Sequence, residues 1–410
     1  MPSASSEEMI DNDYAWWRLS ISVLICTIGS VGFWSVVVVL PAIETEFGID
    51  RGSASFPYLA TLTGFAAGGI LMGRLADRFG IIAPLILGSV MLFSGYIAAA
   101  HANTLWQFVL AHAVLIGLVG SSATFSPLLA DISLWFTKRR GIAVALVASG
   151  NYLSGAIWPP LLQYAIDEIG WRQAYIGIAF ICLITILPLS FFLKRRPPLE
   201  LQTQYDSTAK NSLSGAPLLA PANAQILLVI AGLSCCIAMS MPQVHLVAYC
   251  GDLGFGAQRG AEMLSVMLTL GIISRLASGV IADKIGGLRT LLLGSGLQGL
   301  ALLLYLPFDG LVSLYIVSGI FGLAQGGIVP SYALVVRDFY PADQAATRIS
   351  LVFTSTLLGM AIGGWLSGEI FDLTGSYQAA FINGSAWNLA NLTIVAWLLF
   401  IYQRRRTAFN

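Results

Sequence analysis

Arg275 lies in the apolar run from Ser265 to Gly279, eight residues before Asp283 and thirteen after Glu262. On a helix those separations are about 12 Å and about 20 Å, which places the guanidinium well inside the thickness of a bilayer core. An Arg at that depth costs at least about 2.5 to 3.5 kcal/mol and should face a wet cavity and meet an acceptor. No Asp or Glu elsewhere in the sequence falls clearly at the same depth. A guanidinium fork matches a carboxylate through two parallel hydrogen bonds, so the chemistry implied is recognition of a small organic anion, with the ligand as acceptor. One cation at this depth favours a monoanion over a dicarboxylate. The competing reading is an Arg bonded to backbone carbonyls of a neighbouring helix.

Asn151, Tyr152, Gln325, Tyr332 and Trp34 lie in other apolar runs. They are candidates for lining the same cavity, supplying hydrogen bonds and an apolar wall for a short acyl chain. Packing between helices or facing lipid is an equally strong alternative for each. His245, just after Pro242, belongs to the one residue type that ordinarily titrates near neutral pH, which makes it a candidate proton carrier. Its alternative is a hydrogen-bonded residue near the outer end of a helix. The three histidines (His101, His112, His245) and five cysteines (Cys26, Cys182, Cys235, Cys236, Cys250) have no metal-ligand spacing, so neither a metal nor a cofactor is expected. The glycines from Gly322 to Gly327 sit inside an apolar run and suggest close helix packing rather than a phosphate cradle. No Ser/His/Asp set or convergent carboxylate pair suggests catalysis.

The elements that must position these residues follow from composition. Of 410 residues, 57% are apolar and 10% are charged, with 21 Lys and Arg balancing 21 Asp and Glu. Soluble domains carry about 25% charged residues, so a soluble enzyme is excluded. Zero net charge without a long basic run excludes a nucleic-acid partner. Twelve apolar runs reach the roughly 20 residues that span a bilayer. They cover 17–40, 54–73, 81–100, 105–130, 141–163, 173–193, 224–250, 260–281, 288–306, 311–336, 348–368 and 377–402. The expected fold is an all-α integral membrane protein of twelve transmembrane helices. Residues 1–16 contain acidic and no basic residues, the wrong start for a cleaved signal peptide, so the first span should persist.

With the N-terminus inside, 17 of the 21 Lys and Arg fall in inner segments, three (Arg51, Arg172, Arg259) in outer loops, and Arg275 in neither. That asymmetry predicts a multi-pass protein of the cell membrane with both termini cytoplasmic. The polar stretch 194–223 reads as a linker between an N-terminal bundle, 1–193, and a C-terminal bundle, 224–410. A duplication supports this division. Gly73-Arg-Leu-Ala-Asp77-Arg78-Phe-Gly80 recurs as Gly279-Val-Ile-Ala-Asp283-Lys284-Ile-Gly286; Asp131 has a counterpart in Asp338, and Asp167-x-x-Gly170 in Asp372-x-x-Gly375. Two similar six-helix bundles with a cavity at their interface form a transporter architecture.

The Gly73 to Gly80 motif resembles the loop between the second and third helices of the major facilitator superfamily, and the resemblance extends over all twelve spans, the duplication and the linker. It implies a cytoplasmic gate in which Gly73 allows close helix approach, Asp77 meets a helix N-terminus, and Arg74 and Arg78 join a charge network, with Asp283 and Lys284 as the second copy. A narrower likeness begins at Phe136. The stretch Phe136-Thr-Lys138-Arg139-Arg140-Gly-Ile-Ala143, running on to Gly150, resembles the signature entering the fifth helix of monocarboxylate porters and oxalate/formate exchangers. Arg140 joins the gating candidates on this basis. Those porters also place an eighth-helix Arg on the substrate carboxylate, a role the resemblance gives to Arg275.

The chain departs from that pattern at three places. Gly271 stands where an acidic residue one turn before the Arg is common, no charge lies between Arg18 and Glu44 where a Lys is common, and no basic residue lies between Arg348 and Glu369. The implied function is a secondary transporter of a lactate- or pyruvate-sized monocarboxylate, with protons or a counter-anion as possible partners. The alternatives are an exporter of drugs or other small molecules and a transporter-like ligand sensor.

Overall fold

The computed structural model describes residues 12–136, 139–195, 221–340 and 342–408; the linker expected at 194–223 falls almost wholly outside them. Among the described residues, twelve helices are long and apolar enough to cross a membrane. In order these are Asp13–Phe47, Arg51–Phe79, Ile82–Ala100, Leu105–Ile132, Gly141–Ile169, Trp171–Phe192, Asn223–Asp252, Ala257–Ile285, Gly287–Leu304, Leu311–Phe339, Thr347–Thr374 and Tyr377–Arg404. They are called the first to twelfth spans below. Each coincides with one expected apolar run. Several are longer, because a helix continues through polar residues until something stops it. The first span runs past Glu44 and Glu46 and ends only where Gly48 turns left-handed at φ 61°. Arg51, expected in an outer loop, instead opens the second span and is only 7% exposed.

Large apolar side chains such as Trp106, Ile184, Leu300 and Leu389 remain exposed along the spans. In water such a surface would aggregate; in a bilayer it faces lipid.

The chain divides into two compact units, residues 1–49 with 56–207, and residues 50–55 with 208–410. In each unit, glycine brings together one pair of helices that the repeat relates. In the first, a Cβ built on Gly64 would stand 2.1 Å from Ala113 O, and one on Gly68 would stand 1.9 Å from Leu118 O, so the second and fourth spans meet backbone to backbone. In the second, a Cβ on Gly322 would stand 2.1 Å from Met267 O, and one on Gly326 the same distance from Gly271 O. These are the eighth and tenth spans, the repeat counterparts of the first pair.

Three spans are interrupted. The first is two helices, Asp13–Gly29 and Val31–Phe47, joined at Ser30. The fourth passes through a π-helix, Ala111–Ser121, and turns at Thr124 and Phe125 before Ser126–Ile132. The tenth breaks at Gly326 and Gly327, between Leu311–Gln325 and Ile328–Phe339. In an unbroken helix the Gly326 carbonyl would accept from the N–H of residue 330, but that residue is Pro330. An orphan carbonyl inside a membrane requires another donor.

Candidate functional site

That donor is Arg275. Its Nε donates to Gly326 O at 3.3 Å from the middle of the eighth span, and the side chain is half-buried. The pairing is what the competing sequence reading anticipated, a guanidinium on the backbone of a neighbouring helix. It also ties the guanidinium to the break of the tenth span. The close approach at Gly271 and Gly326 sets the distance, so Gly271, the position where an acid is common, here serves backbone packing.

One residue from Gly326, Gln325 is fully buried. Its Oε1 accepts from Gln243 Nε2 at 2.5 Å, while its own Nε2 has no hydrogen-bond partner among the described residues. A buried amide donor left without an acceptor costs about 1 to 3 kcal/mol. Arg275 and Gln325 therefore stand at one helix break, both as hydrogen-bond donors. Gln243, on the seventh span, was not singled out from the sequence.

Tyr332 is about two turns beyond Gln325 along the tenth span and is used differently. It is fully buried, and its hydroxyl accepts from Asn391 Nδ2 at 2.5 Å, with the same amide donating to Ala231 O at 2.8 Å. It belongs to the packing of the seventh, tenth and twelfth spans and is not grouped with Arg275 by any hydrogen bond.

In the first unit, Trp34 and Asn151 come together: the indole Nε1 donates to Asn151 O at 3.1 Å. Trp158 Nε1 makes the matching bond to Thr27 O at 3.2 Å, so two indoles stitch the fifth span to the first on either side of Ser30. Asn151 and Tyr152 are half-buried.

The gating candidates lie at helix ends. Asp77, Arg78, Asp283 and Lys284 are exposed, and the Arg78 guanidinium covers the ring of Phe79 at 5.2 Å. A Cβ on Gly73 would meet nothing within 4 Å, so no close approach is made there, whereas Gly64 and Gly68 of the same span pack tightly against the fourth. The side chain of Arg140 lies outside the described residues.

His245 is fully buried in the second unit, between the eleventh and twelfth spans. Its Nε2 lies 2.7 Å from Gly364 O and its Nδ1 3.0 Å from the Tyr377 hydroxyl. A carbonyl only accepts, so Nε2 carries the hydrogen and Nδ1 of the neutral ring accepts from Tyr377. The Tyr377 oxygen in turn accepts from Arg51 Nη1 at 2.6 Å, and Arg51 pairs with Asp252 at 3.0 Å. Arg51 was legible only as a loop charge, because its partners are distant in sequence.

The Major Facilitator Superfamily model matches residues 23–318 and 263–410. Monocarboxylate transporter 13 of Bos taurus is 28% identical over 336 residues, covering 79% of this chain and 75% of that protein. The Agnestins efflux protein AgnL12 of Paecilomyces divaricatus is 24% identical over 380 residues, covering 92% and 85%. Among solved structures, a peptide transporter POT superposes with a TM-score of 0.75 at 15% identity, covering 98% of this chain and 99% of that one. A POT family transporter in complex with 5-aminolevulinic acid gives 0.72 at 15% identity, covering 93% and 96%.

Proposed function

Because the chain belongs to the Major Facilitator Superfamily, and is a membrane transporter rather than an enzyme, we propose that it carries a small organic monocarboxylate by alternating access. The substrate is a lactate- or pyruvate-sized acid, and Arg275 holds its carboxylate. The observation that carries this reading is Arg275 in the middle of the eighth span, its Nε on Gly326 O at the break of the tenth span, beside the buried Gln325, whose Nε2 has no acceptor among the described residues. An anion with two acceptor oxygens suits such donors, and a guanidinium in a poorly hydrated site selects carboxylate over neutral solutes. The relatives named monocarboxylate transporter support the same substrate class.

Alternating access is assigned to the loops at Asp77 and Asp283, with both termini cytoplasmic by the distribution of Lys and Arg. A second reading, export of a larger metabolite, is favoured by the relative named as an efflux protein. Uptake into proteoliposomes of labelled mono- and dicarboxylates, each with and without a pH gradient, separates the two. Saturable uptake of short monocarboxylates supports the first reading. Uptake of neutral or larger compounds alone overturns it. Movement of pH with substrate distinguishes proton coupling from exchange for a counter-anion.

A further inference from the structure

Within the first unit, the loop from the third span to the fourth is tied down by Arg172 of the sixth. Its Nη1 donates to Ala100 O at 2.5 Å and its Nη2 to Ala102 O at 2.8 Å, while Nε donates to Glu46 at 3.0 Å. From this loop a groove of about 510 Å³ follows the seam between the two spans. That is the size of a small-molecule site. Its polar residues, His101, Asn103 and Gln107, lie in the loop and the first turn of the fourth span; its apolar residues, among them Ala98, Ala111 and Val114, lie further along the two helices. Trp106 gives the level of the rim. It is exposed and set edge-on against Phe56 at 5.6 Å, and exposed indoles sit at the height of lipid head groups. The groove therefore begins among head groups and continues into hydrocarbon.

Two of the three polar side chains are held in one orientation. His101 Nδ1 lies 2.8 Å from Ile97 O, and a carbonyl only accepts, so Nδ1 carries the hydrogen and Nε2 of the neutral ring is an acceptor. Gln107 Oε1 accepts from Asn103 N at 2.8 Å, which leaves Gln107 Nε2 as a donor. The Asn103 amide adds one group of each kind. The lining contains no carboxylate, Lys or Arg, and the nearby Arg172 is paired with Glu46. A rim with donors and acceptors but no net charge is complementary to a head group that is itself zwitterionic. Phosphate oxygens meet the amide donors, and an ammonium meets the acceptors and the face of Trp106. Further along, Ala98 and Ala111 leave the seam open, and the exposed Leu110 and Val114 add an apolar wall for an acyl chain.

We propose that this groove binds one zwitterionic glycerophospholipid, with its head group on His101, Asn103 and Gln107 and an acyl chain along Ala98, Ala111 and Val114. The site goes beyond the transport reading and rests neither on the substrate nor on Arg275.

Native mass spectrometry of the full-length protein, released from nanodiscs of equal parts phosphatidylethanolamine, phosphatidylcholine and phosphatidylglycerol, reads which lipid stays bound. Wild type should retain one lipid, with each zwitterionic species favoured at least about threefold over phosphatidylglycerol, the worth of a single neutral hydrogen bond. Ala98→Trp, which fills the seam, should lose that lipid, and Val114→Trp serves if Ala98→Trp does not fold. Leu300→Trp, on the lipid-facing surface of the second unit, should keep it. The double variant His101→Leu with Gln107→Leu should lose the head-group preference. Equal retention of all three lipids by wild type, retention undiminished in Ala98→Trp and Val114→Trp, or equal loss in Leu300→Trp would overturn the proposal. So would an unchanged preference in the double variant, or a second copy of the chain retained in place of lipid.

Discussion

Arg18 and Asp131 meet fork to fork in the first unit, Nε to Oδ2 and Nη2 to Oδ1 both at 2.8 Å, with 0% and 9% of their side chains exposed. Trp135 lies under the guanidinium at 4.6 Å, and Nη1 donates to the Tyr14 hydroxyl and to Arg195 O. The pair joins the start of the first span to the end of the fourth.

Removing one partner strands the other charge, which typically costs about 3 to 5 kcal/mol, whereas replacing both by apolar residues is often near neutral. Asp131→Asn should therefore lower the apparent melting temperature in detergent more than the double variant Arg18→Met with Asp131→Leu. A double variant no better than the single would show that the pair itself, rather than the orphaned charge, matters.

Gly326→Ala should abolish most transport, because its Cβ would stand 2.1 Å from Gly271 O and force apart the helices that seat Arg275 on Gly326 O. Gly73→Ala, with open space around it, should retain near wild-type uptake. Uptake assays on matched amounts of folded protein decide this. The reverse order would place the critical close approach in the loop and not beside Arg275.

The twelve spans were readable from run length because lipid imposes one requirement on every helix, enough apolar residues to cross. Arg275 was readable for the same reason, as a violation of that requirement. Its acceptor was also written in the sequence, since Pro330 four residues after Gly326 orphans that carbonyl, but Pro330 becomes informative only once the tenth span is known to be helical on both sides. The Arg51 cluster and the Arg18–Asp131 pair were not readable. Their partners lie 201 and 113 residues away, and a charge at a helix end looks the same whether it is solvated or buried. Tyr332 and Trp34 are a different case. A polar handle on an apolar face suggests a cavity wall, yet both handles are bonded within their own units, to Asn391 and to Asn151 O.

Tyr332→Phe removes an acceptor from Asn391 Nδ2, which keeps its bond to Ala231 O. Stability should fall by about 1 kcal/mol, and the substrate concentration for half-maximal uptake should change less than twofold. A large change in that concentration without loss of stability would return Tyr332 to the binding site.

The central claim is that Arg275 pairs with a substrate carboxylate, and the most direct measurement is uptake of a labelled short monocarboxylate by proteoliposomes carrying wild type, Arg275→Lys and Arg275→Gln. Lys retains the charge but not the planar fork. Both variants should reconstitute as well as wild type and retain less than about a tenth of its uptake, a loss of about 1.4 kcal/mol or more in the transport barrier. Uptake at the wild-type rate by Arg275→Lys and Arg275→Gln would contradict the account.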